Sequence, residues 1–482
     1  LDSNTINSAS QARFTAERMA HWDANARRMD TWRGAGGTYH RRLQRVYRSI
    51  IAPGKRVLEL GCARGDLLAS LQPSQGVGVD FSPEMIRRAR AAHPDMTFIE
   101  ADILNLEALE GPFDAIILSD LVNDVWDVQT VLDQVHRLCT PSTRIVLNFF
   151  SRFWELPLKL AEKIGLSTPN LLQNWLSPGD VAGLLNLSGF EEISRQMEVL
   201  FPLPIPLING LCDRYLVKIW PFRTLGWTTV MIARPVPAGA PADAPLVSVI
   251  VPARNESGNV PSIFERVPEM GAGTELIFVE GSSKDDTYSA IEREIAAHPE
   301  RRCKLLRQTG RGKGDAVRLG YDHASGEVLM ILDADLTMPP EDLPRFYNAL
   351  VSGKGEFING VRLVYPMEKE AMRFLNLLGN KFFSMTFSWL LGQHLKDTLC
   401  GTKVLWKADY LTIAANRSYF GDFDPFGDFD LLFGAARLRL KIVDLPIRYR
   451  ERVYGTTNIS RWSHGWLLLK MVMFAAQRIK FI

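Results

Sequence analysis

Two aspartates one residue apart, Asp333 and Asp335, close an apolar run in the stretch EVLMILDADLTMPP, residues 327–340. Carboxylates that close repel one another unless something positive lies between them. The chemistry that suits such a pair is a hard divalent cation, Mg²⁺ or Mn²⁺, bridging to a nucleotide diphosphate. A capped turn ahead of the helix near Glu341 is the alternative, and D-x-D alone does not decide between them. Upstream, Gly312, Lys313 and Gly314 precede a helical stretch, where backbone N–H groups and an ammonium neutralise phosphate. In the first half of the chain, RVLELGCARGDLLASL sets Gly61 and Gly65 between a strand and a helix. The glycines let the backbone turn tightly and point N–H groups at an anionic or carboxylate-bearing ligand. Asp80 follows about 20 residues on, the spacing at which an acid accepts hydrogen bonds from ribose hydroxyls.

The elements that must position these groups are strands alternating with helices. In the first half, strands end at Glu59, before Asp80, at Asp102 and at Asp120, and Ser82 and Pro83 give the next helix a cap and a first-turn proline. Four strands ending in acid or glycine at one edge predict a nucleotide crevice. In the second half, VSVIVPARNE, ELIFV followed by EGSSKDDT, CKLLRQ, and the run before Asp333 repeat the pattern. Each predicts a parallel sheet with its ligand at the carboxyl edge. RPVPAGAPADAP, rich in Pro and Ala without apolar period, predicts a linker at 234–245 between domains 1–233 and 246–482. The fold class expected is α/β, two nucleotide-binding three-layer domains.

Length and composition agree. A chain of 482 residues is too long for one core. A net charge of +2 gives no reason to expect nucleic acid. Cys62, Cys139, Cys212, Cys303 and Cys400 show no C-x-x-C spacing, so neither zinc nor a disulfide framework is indicated, and a reducing, cytoplasmic setting fits. No signal peptide or transmembrane run is readable. Residues 1–50, with Trp22, Trp32 and Tyr39 among arginines, read as a helical lid rather than a nucleic-acid surface. Leu200 to Leu211, apolar among prolines, fits a packed core better than an acceptor pocket or lipid contact.

Residues 40–235 resemble the class I S-adenosylmethionine-dependent methyltransferases. The resemblance implies that Glu59, Gly61 and Gly65 receive the methionine end of S-adenosylmethionine, Asp80 holds the ribose and Asp102 contacts adenine. Ala63 replaces a glycine common in that loop.

Residues 246–470 resemble inverting glycosyltransferases of the GT-A fold, family 2, and most closely the polyprenyl-phosphate sugar synthases of the dolichol-phosphate mannose synthase type. The motifs are VPARNE, VEGSSKDDT, GKGDA, DADLTMPPEDL, FINGVR and LPIRYRERVYG. The resemblance implies that Pro252, Arg254, Glu256, Glu280 and Asp285 line a nucleotide-sugar donor, with Lys313 beside its phosphates and the metal on Asp333 and Asp335. Gly281 stands where an acid is usual, so the base stays open between uracil and guanine. Arg362 and Arg373 match the acceptor-phosphate region, Asp428 or Asp430 the acid that meets the nucleophile, and Arg450 and Arg452 the phosphate contacts. The apolar helix after Arg373 and the basic tail through Lys470, Arg478 and Lys480 suit a membrane surface, giving an expected place at its inner face. The expected protein is a bifunctional enzyme, its acceptor polyprenyl phosphate or a soluble or protein-borne glycan, unless one domain is a degenerate binding module.

Overall fold

The computed structural model describes residues 3–28, 36–163, 171–200, 207–237, 239–362, 374–417, 427–450 and 461–481, together with 205, 452 and 454. The chain divides into two compact units, one running to Val236 and the other from Pro237 to Lys480. The first holds a seven-stranded sheet of β1 (Arg56–Leu60), β2 (Gln75–Asp80), β3 (Thr97–Glu100), β4 (Ala115–Ser119), β5 (Arg144–Phe150), β6 (Phe190–Glu198) and β7 (Thr228–Pro235). Their order is β3-β2-β1-β4-β5-β7-β6, and β7 runs antiparallel to both neighbours. Burial on both faces is why these strands read as apolar runs. Leu58 and Leu60 pack with Ile116, Leu118, Ile145 and Leu147 on one face. On the other, Val57, Ala115, Ile117 and Val146 meet Leu43, Val46 and Tyr47 of helix Gly36–Ile50. Strand order reverses between β1 and β4, where the ligand crevice of such sheets opens at the carboxyl ends.

β7 continues through Pro235, so Arg234 and Pro235 are strand residues and not part of the linker expected from residue 234. Composition conceals this, because an arginine looks like a surface residue. Arg234 is 1 % exposed, and its guanidinium lies 2.6 Å from Glu191, its partner in β6. The amino-terminal segment forms helices Ser3–Arg28 and Gly36–Ile50; Trp32 lies outside the described residues. Leu200 to Leu211 was expected to pack in a core, and among its described residues the apolar side chains from Ile205 onward face outward. Ile205, Leu207, Ile208 and Leu211 are exposed.

The second unit holds β8 (Val247–Ala253), β9 (Thr274–Glu280), β10 (Arg302–Arg307), β11 (Val328–Ile331), β12 (Phe357–Val361), β13 (Lys403–Trp406) and β14 (Ile442–Pro446), ordered β10-β9-β8-β11-β13-β12-β14. Ile250, Ile277, Leu329 and Ile331 fill one face, and Val249, Val251, Leu276, Phe278 and Met330 the other. β13 runs antiparallel to β11 and β12. It therefore starts at the edge where β11 stops, with Val404 opposite Met330, and delivers Gly401 and Lys403 beside Asp333.

The tail forms helix Arg461–Ala475 and a π-helical turn, Ala476–Lys480. Leu468, Met471, Ala475 and Ile479 recur every three or four residues and bury one face, joining the core with Phe387 and Leu390 of helix Phe374–Leu391. Trp466 and Met473 remain exposed. No described helix is long and apolar enough to cross a membrane.

Candidate active sites

In the first unit, Gly65 (φ 74) lies in the left-handed region and its N–H donates to the Cys62 carbonyl at 2.8 Å, closing the loop after β1. A side chain there would meet Phe98, its Cβ 2.6 Å from the ring. Ala63 also has positive φ (46). Asp80 holds it: one carboxylate oxygen accepts from Ala63 N and the other from Ser82 N, each at 2.9 Å. Burial raises the Asp80 pKa against these bonds. An ionised carboxylate has about four lone-pair sites, so these bonds do not exhaust its capacity to accept. Glu59 is buried, accepts from Leu68 N at 3.0 Å and is pushed up to about 8 by desolvation. It braces the helix after the loop. Asp102 accepts from Leu104 N at 3.0 Å and lines a cleft of about 460 Å³ with Gln11, Ala12, Thr15, Ala16 and Met19.

Helix Ser3–Arg28 lies across this edge. Asp23 accepts from Ser82 Oγ, while Arg18 and Trp22 both donate to Asp124 at 2.8 Å. Sequence reasoning missed a buried network beside it. Asp120, with φ 53, accepts from Tyr39 OH at 2.6 Å and from Asn148 Nδ2. Asn148 Oδ1 in turn accepts from Tyr47 OH (2.8 Å) and Ser119 Oγ (2.9 Å). Burial pushes Asp120 up to about 6 despite these bonds. Its neighbour Leu121 sits against Gly61, so this carboxylate stands next to the glycine loop. The acid at the end of β4 was visible in sequence; Tyr39 and Asn148 come from other elements and gave no local signal.

In the second unit, Asp333 and Asp335 follow β11 and each meets a cation. Lys313 Nζ lies 2.6 Å from Asp333, and Arg452 donates to Asp335 at 2.7 Å and to Glu256 at 3.1 Å. Burial opposes ionisation of Asp333, but Lys313, Lys403 and Arg362 hold its pKa below the ordinary value. Burial likewise opposes the charge on Lys313, which Asp333 and Asp428 keep protonated far above neutrality. Gly401 is required by close approach, since a Cβ there would overlap Asp333 and Lys313. Glu256 is pushed up to about 7 by desolvation, against the pull of Arg452. Asp285 accepts from Ser257 Oγ (3.0 Å) and Thr287 N (3.1 Å), and Glu280 from Ser283 N (2.5 Å). These bonds shape the loops after β8 and β9, where Pro252 is half-buried and Arg254 exposed.

Asp428 opens helix Asp428–Arg437; it and Asp430 are both buried, and Asp430 is engaged by Arg417 at 2.8 Å. Lys403, 0 % exposed, brings its ammonium to 3.8 Å from Asp428 Oδ1 and donates to the Cys400 carbonyl. Sequence reasoning did not single it out, since a lysine in a strand carries no motif. Arg362, expected at the acceptor, donates a bidentate pair to Asp397 (2.7 and 2.8 Å). Two of its donors thus meet buried Asp397. Arg373 lies outside the described residues. Arg450 joins Arg345, Arg448, Glu341, Asp342 and Pro339 around a cleft of about 570 Å³.

Among the described residues no three His, Cys, Asp or Glu side chains converge as a metal cage. Asp333 and Asp335 still fit a hard cation, because Mg²⁺ is commonly held by one or two carboxylates with substrate phosphates and water completing its shell.

The family model of glycosyl transferase family 2 matches residues 248–405, and that of a methyltransferase domain residues 57–142. The chain carries a methyltransferase domain followed by a family 2 glycosyl transferase domain. Each lies in one of the two α/β units, each built on a seven-stranded sheet. Among relatives of the glycosyl transferase domain, glycosyltransferase AglJ of Haloferax volcanii is 26 % identical over 224 residues, 46 % of this chain and 69 % of that one. An undecaprenyl-phosphate 4-deoxy-4-formamido-L-arabinose transferase of Pectobacterium carotovorum is 33 % identical over 219 residues, 44 % of this chain and 62 % of its own. The dolichol-phosphate mannosyltransferase of Saccharomyces cerevisiae is 38 % identical over 109 residues, 21 % and 40 % respectively. The match thus spans less than two thirds of the last two relatives.

Proposed function

We propose that the glycosyl transferase domain moves a sugar from a nucleotide-sugar donor to polyprenyl phosphate with inversion, and that the methyltransferase domain uses S-adenosylmethionine. The observation that carries the first reading is the alternating cluster at the carboxyl edge of the second sheet, Asp333, Lys313, Asp428 and Lys403, with Arg452 spanning Asp335 and Glu256. The relatives named for dolichol phosphate and undecaprenyl phosphate support the acceptor class.

In the transfer, an acceptor oxygen forms a bond to the anomeric carbon as the bond to the donor diphosphate breaks. Charge grows on the leaving diphosphate. Asp333 and Asp335 would hold a Mg²⁺ or Mn²⁺ ion, which would supply Lewis-acid neutralisation of that charge. Lys313 and Arg452 add fixed positive charge on the same side. Asp428 sits where it orients the acceptor; a phosphate acceptor is already ionised near neutral pH and requires no strong base. In the methyltransferase domain, the loop at Gly61 and Gly65, with Asp80 and Asp102, holds the methyl donor, and Asp120 stands beside it.

The test is nucleoside diphosphate release from a panel of nucleotide sugars, with polyprenyl phosphate and with a water-soluble glycan as acceptors, with and without chelator. Release with polyprenyl phosphate that chelation stops is expected. Faster use of the soluble glycan would replace the acceptor assignment, and full activity in chelator would remove the metal.

A further inference from the structure

The methyltransferase domain carries an exposed apolar surface that neither proposed reaction uses. Its centre is a stretch of short helices, Ile208–Arg214, Leu216–Lys218 and Phe222–Leu225. Leu207 is 90 % exposed, Trp220 73 % and Leu211 56 %, with Ile219, Phe222 and Leu225 at 40–42 %. A second piece adjoins it. Trp154 Nε1 donates to the Leu225 carbonyl at 3.1 Å, which sets Phe153, 54 % exposed, and the start of helix Glu155–Lys163 beside this stretch.

Charge decides what covers this surface. Between residues 214 and 225 the charged side chains at the surface are Arg214, which donates to the Phe481 carbonyl at 2.9 Å, and Arg223, for Lys218 is buried against Glu198. The one carboxylate close by in sequence, Asp213, is buried and accepts from Leu200 N at 2.7 Å. Aromatic and aliphatic side chains interleaved with Arg214 and Arg223, beside a piece whose carboxylate Glu155 is paired with Lys159 at 2.7 Å, match the boundary between hydrocarbon and anionic headgroups. Exposure of so many large apolar groups in one contiguous stretch needs an occupant.

We propose that the methyltransferase domain seats residues 207–225 in the surface of an anionic lipid bilayer. Leu211, Trp220 and Phe222 enter the acyl boundary, while Arg214 and Arg223 lie at the headgroups.

The experiment is sedimentation of the intact chain with vesicles of phosphatidylcholine and phosphatidylglycerol, compared with phosphatidylcholine alone. The anionic vesicles are expected to carry the protein down. Trp220→Ser with Phe222→Ser lowers partitioning at least tenfold, and Arg214→Gln with Arg223→Gln removes the preference for anionic lipid. Lys470→Gln with Arg478→Gln, in the other domain, leaves partitioning within twofold. These side chains are exposed, so an unchanged thermal midpoint certifies that each variant is folded. The proposal fails if the intact protein stays in the supernatant, if the Trp220 and Phe222 variant partitions like its parent, or if only the Lys470 and Arg478 variant loses binding. Self-association in sedimentation velocity that Trp220→Ser with Phe222→Ser abolishes, without vesicle binding, makes a second copy the occupant and overturns the lipid assignment.

Discussion

At the scale of single residues, the second site is organised by pairing rather than by isolated acids. Asp335 is the carboxylate that Arg452 ties to Glu256, and Asp335→Ala is expected to lower sugar transfer at least a hundredfold while S-adenosylmethionine binding, followed by calorimetry, is unchanged. Lys403 acts one step further back. A lysine with no exposure beside Asp428 is held by what it neutralises, and removing one partner of a buried pair costs about 3–5 kcal/mol. Its charge also helps keep Asp333 ionised. Lys403→Met is therefore expected to destabilise the domain and to move the acid limb of the pH–rate profile for transfer upward, whereas Lys403→Arg restores that limb. An unmoved limb in a folded Lys403→Met protein would leave Lys403 as packing.

At the scale of elements, the glycine loop after β1 is held from two sides, by Asp80 on Ala63 and by Glu59 on the first turn of helix Asp66–Ser70. Burial lifts Glu59 from 4.5 to about 8, so the folded protein keeps a proton that the unfolded chain releases. Stability from this group is present below pH 4.5 and lost as pH rises through about 8. Glu59→Gln keeps an oxygen for Leu68 N and removes the titration. It should match the parent in thermal unfolding at pH 4 and exceed it at pH 8 by roughly 2–4 kcal/mol. Helix Gly36–Ile50 is fastened separately, through Arg42 at 2.8 Å from Glu198 of β6, which also meets Lys218.

At the scale of the whole molecule, each unit has its own sheet and its own two-faced core, so each is expected to melt as a separate transition. S-adenosylhomocysteine at about 100 times its Kd should raise one transition by the equivalent of about 2.7 kcal/mol and leave the other in place. Differential scanning calorimetry reads both together. The tail belongs to this scale as well. Because Leu468, Met471, Ala475 and Ile479 are core residues, deleting residues 463–482 should unfold the glycosyl transferase domain. Loss of the second calorimetric transition is the outcome that checks it.

The sequence by itself determined where strands stop and chemistry starts. Central parallel strands are buried on both faces, so VLMIL and VSVIV are unbroken apolar runs, and the first polar residues after them must lie at the ligand edge. Asp80, Asp333 and Asp335 were legible for that reason. The tertiary structure alone decided which groups meet. Tyr39, Asp120 and Asn148 converge across 81 and 28 residues of chain. Lys403 reaches Asp428 because β13 runs backwards, and Arg362 turns to Asp397, 35 residues on. A local pattern records whether a side chain favours water, not which element arrives to cover it. The same limit explains the apolar segments at either end. The tail reads as surface and is packed, while Leu207 and Leu211 read as core and face outward, because burial depends on a neighbouring face that no window of sequence contains.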